Sequence, residues 1–430
     1  MLQSAAYSML GIVDRIMVGQ LAENAISAVG IGGQIIFFIV TLAGAIASAI
    51  SILAAQYNGA KDSHGMAVLA GSGMVIISFC SVVFGVFLFY SAFPLALWLS
   101  NGNQKIAQLS SEYIKIVSLS TPQVLLTFAI VGIMRSLKDT KTPLISSMTA
   151  LLLNTGLNYL LINGNLGFPA LGVAGAALAT SISQTVSFFI ALHFFQNRNF
   201  SDYSFKLRHI FLTNLNLSKK ILRITIPIAL DALFWQAASI TYTRVISQAE
   251  KEALPAYFIY LGLRSMGYIP IGSLGTAAAT LVGRNLGAGN PVRTDMIIRQ
   301  AFKFCLMSAF VMSVLYNMLS GFYLDYFSVE PGVRNLAISL IRYFSVVIFF
   351  ESIIVLMAGT LRAGGDAFAV SCITFSTFWL IGIPGAWFFG VYMSLGMKGC
   401  FIGIALESVF KAILFSWRQK SGNWAHNLVE

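Results

Sequence analysis

Residues 27–55 read SAVGIGGQIIFFIVTLAGAIASAISILAA, a run without one charged side chain. A helix needs about 20 apolar residues to cross the hydrocarbon core of a bilayer. The run does not alternate polar with apolar, so it is not a strand of an outer-membrane barrel. Eleven comparable stretches accompany it: 1–19, 65–92, 113–134, 143–163, 172–196, 221–246, 254–282, 297–320, 336–360, 368–390 and 397–417. Composition agrees. Residues of the set AVILMFWYC make up 57 % of the 430 positions and charged residues 10 %, against about 45–50 % apolar and about 25 % charged in ordinary soluble domains. A soluble enzyme, a secreted disulfide scaffold and a disordered chain are excluded. The expected fold is an all-α integral membrane protein with about 12 transmembrane helices.

Charge gives the orientation. Lys61, Arg135, Lys138, Lys141, Arg198, Lys206, Arg208, Lys219, Lys220, Arg223, Arg284, Arg293, Arg362, Arg418 and Lys420 fall on one set of loops and the tail. The opposite loops carry Lys105, Lys251, Arg334 and Lys398. Basic loops face the cytoplasm, so both termini are expected there, in a multi-pass protein of the plasma (inner) membrane. The net charge of +11 follows from these loops, and no nucleic-acid partner is expected. The first stretch starts at Met1 with no lead and contains Asp14, so a start upstream or a fragment is expected. No cleavable signal is visible. The four cysteines lie in apolar stretches without metal-ligand spacing and the four histidines are scattered, which points to packing rather than disulfides or a metal centre.

The chain repeats itself. AAQYNGA at 54–60 matches VGRNLGA at 282–288, Met134-Arg135 before Asp139 matches Leu361-Arg362 before Asp366, and Gly172-Val-Ala-Gly175 matches Gly396-Met-Lys-Gly399. The offsets cluster: 282 − 54 = 228, 362 − 135 = 227 and 396 − 172 = 224. Asp14-Arg15 likewise resembles Thr243-Arg244. A repeat of six helices keeps its orientation, so two parallel, pseudo-symmetric six-helix bundles are expected, with a central cavity between them where such transporters bind and rock. The expected parts are a first bundle at 1–200, a polar basic linker at 201–220, a second bundle at 221–420 and a tail at 421–430.

The same motifs carry a family likeness. The chain resembles the multidrug and toxic compound extrusion (MATE) family over nearly its whole length. The likeness rests on DRIMVG at 14–19 with AISAVG at 25–30, QYNGA at 56–60, NLGA at 285–288, RSLKDTKTP at 135–143, and NYLLI at 158–162 followed by Gly167 and GVAGAALAT at 172–180. It implies a secondary antiporter, not an enzyme, that exports organic cations and other amphipathic compounds by alternating access. The drive would be inward flow of Na⁺ or H⁺, with no bound cofactor.

Ionisable residues at membrane depth cost at least about 2.5 kcal/mol and are functional candidates by default. Asp14, Asn154, Asn158 and Thr180 fall at comparable depth in the first half, with the two asparagines on one helical face. A carboxylate with amide and hydroxyl oxygens makes a shell for a small monovalent cation, Na⁺ included, and the resemblance points to the same four positions. The plainer alternative is that the amides only bond between helices. In the second half, Asp231 follows Pro227 and Glu351 lies mid-span; the resemblance matches Glu351 to the family's acidic position in span ten. Two close carboxylates would share a proton or hold a cation, substrate included. Alternatively a base such as Arg264 or Arg244 neutralises each. Phe234, Trp235, Tyr242, Tyr257, Tyr260, Tyr268 and Trp379 could face a cationic cargo, but rings at helical spacing are more often packing. Arg135 with Asp139, and Arg362 with Asp366, look like locks at helix ends. Pro122, Pro227, Pro270 and Pro384 mark bends.

Partners are therefore the lipid bilayer and small amphipathic or cationic substrates, and a monomer is expected. The alternative function is a flippase of lipid-linked oligosaccharides, which would line its cavity with Arg and Lys. A channel is disfavoured by the repeat, and ATP drive by the lack of a Gly-rich phosphate loop ending in Lys-Ser/Thr.

Overall fold

The computed structural model describes Gln3, Ala6, Met17, Val18 and residues 23–100, 102–197, 209, 211–250, 252–325 and 330–429. Among these, all regular structure is helical. The elements are α1 (Glu23–Ala60), α2 (Ser63–Leu99), α3 (Gln104–Ser118), α4 (Thr121–Ser136), α5 (Lys141–Asn163), α6 (Val173–Asn197), α7 (Leu215–Ile246), α8 (Ala253–Gly287), α9 (Pro291–Asp325), α10 (Pro331–Ala363), α11 (Ala367–Tyr392) and α12 (Gly396–Lys420). Nine helices among the described residues are long and apolar enough to cross a membrane. α3 and α4 make a tenth span when joined, although bent by 50°. The 35-residue α8, interrupted by Arg264, is not in that set. The first expected stretch, 1–19, lies outside the described residues apart from four isolated positions.

The bend explains one difference from the sequence reading. The fourth expected stretch, 113–134, is two helices, because Pro122 sits in the first turn of α4. Proline lacks the N–H that would continue α3, and it turns the residue before it away from helical geometry. Pro384 has the same chemistry inside α11. There the helix widens into π-helical turns at Thr377–Gly382 and Phe388–Tyr392, as helices often do to keep going past an unsatisfied carbonyl.

The chain divides into two compact units, Leu2–Thr225 and Ile226–Glu430. α7 begins at Leu215, within the stretch expected to be linker, and the division falls inside it. In the first unit, Val29, Tyr113, Val117, Ile162 and Val173 form one core, and Ile35, Leu88, Ala92 and Ile114 another. In the second, Tyr257, Tyr260, Leu340, Phe344, Phe378 and Phe401 pack together. Large apolar side chains such as Phe37, Phe79, Trp98, Phe189, Phe322 and Leu380 stand exposed, as expected where the solvent is lipid. The tail folds back. Trp424 is buried, and the His426 N–H donates to the Gly364 carbonyl at 3.1 Å.

The repeat is written in the backbone too. Left-handed residues recur at matching places: Lys61 (φ 56°) and Gly289 (65°), Lys138 (67°) and Gly365 (88°), Gly172 (54°) and Gly396 (62°). Their offsets are 289 − 61 = 228, 365 − 138 = 227 and 396 − 172 = 224. The bonds that close each helix match as well. Asp62 N–H donates to Tyr57 O at 3.2 Å and Asn290 N–H to Asn285 O at 2.9 Å; Asp139 N–H donates to Met134 O at 2.9 Å and Asp366 N–H to Leu361 O at 3.0 Å. Each is the six-residue closure of a Schellman turn.

Candidate functional site

In the first unit, Asn154 and Asn158 stand one turn apart on α5, both fully buried. Asn158 Nδ2 donates to Asn154 Oδ1 at 3.2 Å, and Asn154 Nδ2 donates to Thr180 Oγ1 on α6 at 3.3 Å. Three of the four expected residues thus form one directed chain of hydrogen bonds. Asp14 lies outside the described residues. Close approach of α5 and α6 makes the chain possible. Gly172 turns left-handed to start α6, and a Cβ on Gly175 would overlap the Leu161 carbonyl. Asn154→Ala removes the middle link and takes one hydrogen-bond partner each from the Asn158 amide and the Thr180 hydroxyl. It should lower stability by about 1–3 kcal/mol, read as a fall in thermal midpoint in detergent, while Thr155→Ala on the same helix should change little.

In the second unit, the buried Glu351 of α10 faces α8. Arg264 Nη2 donates to Glu351 Oε1 at 3.1 Å and to Tyr268 Oη at 3.0 Å, and the Tyr268 hydroxyl donates to Glu351 Oε2. Arg264 and Tyr268 are four apart, so one face of α8 presents both. The guanidinium also lies over the Tyr268 ring, 4.8 Å from its centroid, and 5.8 Å from that of Phe344. Asp231 of α7 has a different partner: Arg362 Nη2, at the end of α10, donates to its Oδ2 at 2.6 Å. The two acids therefore occupy separate ion pairs, each with its own arginine. Of the bases anticipated as neutralisers, Arg264 fills that role for Glu351, and Arg362 stands where Arg244 was considered.

The expected lock of Arg362 with Asp366 comes apart accordingly. Arg362 is drawn to Asp231, and Asp366 instead accepts from Arg418 Nε of α12 at 2.6 Å. Asp139 tightens the start of α5, accepting from the Lys141 and Thr142 N–H groups at 3.0 and 3.1 Å and from the Thr142 hydroxyl at 2.7 Å. Arg135 Nη2 donates to Gln3 Oε1 at 2.7 Å. Tyr257 and Tyr260 are core residues, and Tyr260 meets Phe344 and Phe401 edge-on. Phe234 and Trp379 both meet Phe375, at 4.8 and 6.2 Å between centroids.

One charged pair has no counterpart in the sequence reading. Glu407 and Lys411, four apart on α12, are both buried and ion-paired. Lys411 Nζ also lies 3.5 Å from the centroid of Phe378. Two opposite charges at i and i+4 within an apolar span are a visible signal in the sequence.

A family model described as MatE matches residues 1–160 and 227–388. The chain belongs to the MatE family. The two matched segments start 227 − 1 = 226 residues apart, close to the spacing of the repeat. Relatives include the "Probable multidrug resistance protein NorM" of Thermotoga maritima, 25 % identical over 98 % of this chain and 90 % of that protein. The "Multidrug resistance protein MdtK" of Photorhabdus laumondii is 26 % identical, over 96 % and 92 %. Among solved structures, an outward-facing multidrug resistance MATE transporter of the MOP superfamily superimposes with a TM-score of 0.89 at 21 % identity, covering 98 % of this chain and 94 % of that one. This MatE protein is a multi-pass membrane transporter and not an enzyme.

Proposed function

We propose that this MatE transporter exports organic cations and other amphipathic compounds from the cytoplasm in exchange for protons, by alternating access. The observation that carries the reading is the buried Glu351, held by the Arg264 guanidinium and the Tyr268 hydroxyl. In the ionised pair the local charge is zero. A cationic cargo then meets no net charge at this centre, and each good contact it makes with an aromatic ring contributes about 0.5–2 kcal/mol. Protonation of Glu351 leaves Arg264 uncompensated, and the local charge becomes +1. In a low-dielectric surrounding that charge repels a cation strongly, so proton uptake and cargo release favour each other. Names of relatives that refer to multidrug resistance favour drug cargo over lipid-linked oligosaccharide.

A sodium-coupled reading rests on a different observation. Asn154, Asn158 and Thr180 are linked side chain to side chain, and their oxygens with those of Asp14 would suit Na⁺. Glu351 suits it less, since its oxygens already accept from a guanidinium and a hydroxyl. The protein would work as a monomer in the plasma membrane with both termini cytoplasmic and without a cofactor.

Proteoliposomes loaded with ethidium test the proposal, with H⁺ and Na⁺ gradients imposed separately. Efflux driven by the H⁺ gradient is expected, and Glu351→Gln should reduce it to the leak of protein-free vesicles. Efflux under the Na⁺ gradient alone, unaffected by Glu351→Gln, would overturn the proton reading.

A further inference from the structure

The ion pair on α12 sits within a built polar site that the Glu351 centre does not use. Glu407 Oε1 accepts from Thr377 Oγ1 of α11 and Glu407 Oε2 from Ser408 Oγ, both at 3.5 Å, beyond good hydrogen-bond length. Lys411 supplies the strong contact. Against the same spot comes Tyr242 of α7. Gly382, in the wide turn of α11, has no side chain, and a Cβ there would overlap both the Tyr242 hydroxyl and the Glu407 side chain. Tyr242 is 5 % exposed, and its hydroxyl has no hydrogen-bond partner among the described residues. Its ring meets Phe378 edge-on at 6.2 Å, and Phe378 carries Lys411 on its face.

A buried, unpartnered hydroxyl beside a carboxylate costs free energy. An apolar pair would fill the space of Glu407 and Lys411 at no loss of stability. The arrangement makes sense if the carboxylate has two states. We propose that Glu407 is a second proton-binding centre of the second unit, exchanging Lys411 for Tyr242 when it takes a proton. The carboxylate accepts H⁺ from water and becomes a neutral acid. Its new O–H donates to Tyr242 Oη, the idle atom of the resting state. Lys411 keeps its own proton and is left on the face of Phe378, so the centre passes from charge zero to +1. The charged groups that act on Glu407 are Lys411 on its own helix, Glu351 of α10 and Arg264 of α8; Tyr242 and Thr377 face it from α7 and α11. Lys411 is thereby the group whose electrostatic hold the proton releases. The inference rests on the proton-coupled reading above and adds a site to it.

Infrared difference spectra of the full-length protein in liposomes, recorded as pH is lowered, test it. A carbonyl stretch of a protonated carboxyl is expected that Glu351→Gln retains and Glu407→Gln removes. Tyr242→Phe should move its frequency toward that of an unbonded acid. If Glu407→Gln proves unstable, the double variant Glu407→Gln/Lys411→Met, which leaves no buried charge, serves in its place. A carboxyl spectrum unchanged by either variant would overturn the proposal, because Glu407 would then stay ionised throughout. Absence of proton-driven ethidium efflux in the wild type would sink the proposed function alone, since the spectra decide Glu407 without transport.

Discussion

Arg264→Met should destabilise the folded protein by about 3–5 kcal/mol, the cost of stranding one member of a buried ion pair. The Tyr268 hydroxyl stays on Glu351 Oε2, which holds the loss toward the lower end. The cost belongs to the orphaned carboxylate more than to the lost bond. So Arg264→Met/Glu351→Leu, which removes both charges from the same space, should recover most of the stability. The check is a double-variant cycle of thermal or denaturant midpoints in detergent. If the single and double variants lose equally, the pair contributes only its packing. Under the proposed function both variants fail to transport, so the double variant would be a well-folded, inactive protein. That separation of stability from activity distinguishes a working charge pair from a structural one.

Gly399→Ala should be nearly as damaging, although it adds only a methyl group. The new Cβ would overlap the Phe389 carbonyl group and lie 2.8 Å from the Gly390 nitrogen. These are backbone atoms, which cannot swing aside as a side chain can. Gly403, one turn on, is pressed in the same way against Ala386, so α12 meets α11 through a Gly-xxx-Gly contact. Overpacking typically costs about 1–3 kcal/mol and more where nothing can yield; a bulkier Gly399→Leu should not fold. Gly33→Ala, in the apolar run of α1 where nothing lies within 4 Å, is the control and should be neutral or slightly stabilising. Equal thermal midpoints for Gly399→Ala and Gly33→Ala would show that the two helices part more readily than their geometry indicates.

Local features of the fold were legible because their causes are local. An uncharged run such as 27–55 has one low-energy form in lipid, and Pro122 marks the break between α3 and α4. The small-residue motif at 172–175 and its copy at 396–399 marked the repeat, and in the structure a Cβ on Gly175 or Gly399 would overlap a neighbouring helix's backbone. Partners in ion pairs were less legible. Asp231 meets a residue 131 positions away and Glu351 one 87 positions away, and only folding selects among the arginines available. Arg362 looked committed to Asp366 because the two are near in sequence. A Schellman turn lies between them, and Asp366 reaches Arg418 instead. Asn154, Asn158 and Thr180 could be grouped beforehand because a shared helical face and a shared depth are both readable from spacing. Glu407 and Lys411 are readable in the same way, as opposite charges one turn apart within an apolar span.

The two halves close their first and second Schellman turns with different residues: Lys61 and Lys138 in one, Gly289 and Gly365 in the other. A left-handed lysine is strained by roughly 1–2 kcal/mol where glycine is not. Part of that returns through the attraction of its charge to the negative end of the helix before it, about 0.3–1 kcal/mol. Two basic charges are thus held at turns where the second half, with Gly289 and Gly365, carries no such strain. In sequence terms the first half keeps cations at its loops where its copy keeps conformational ease.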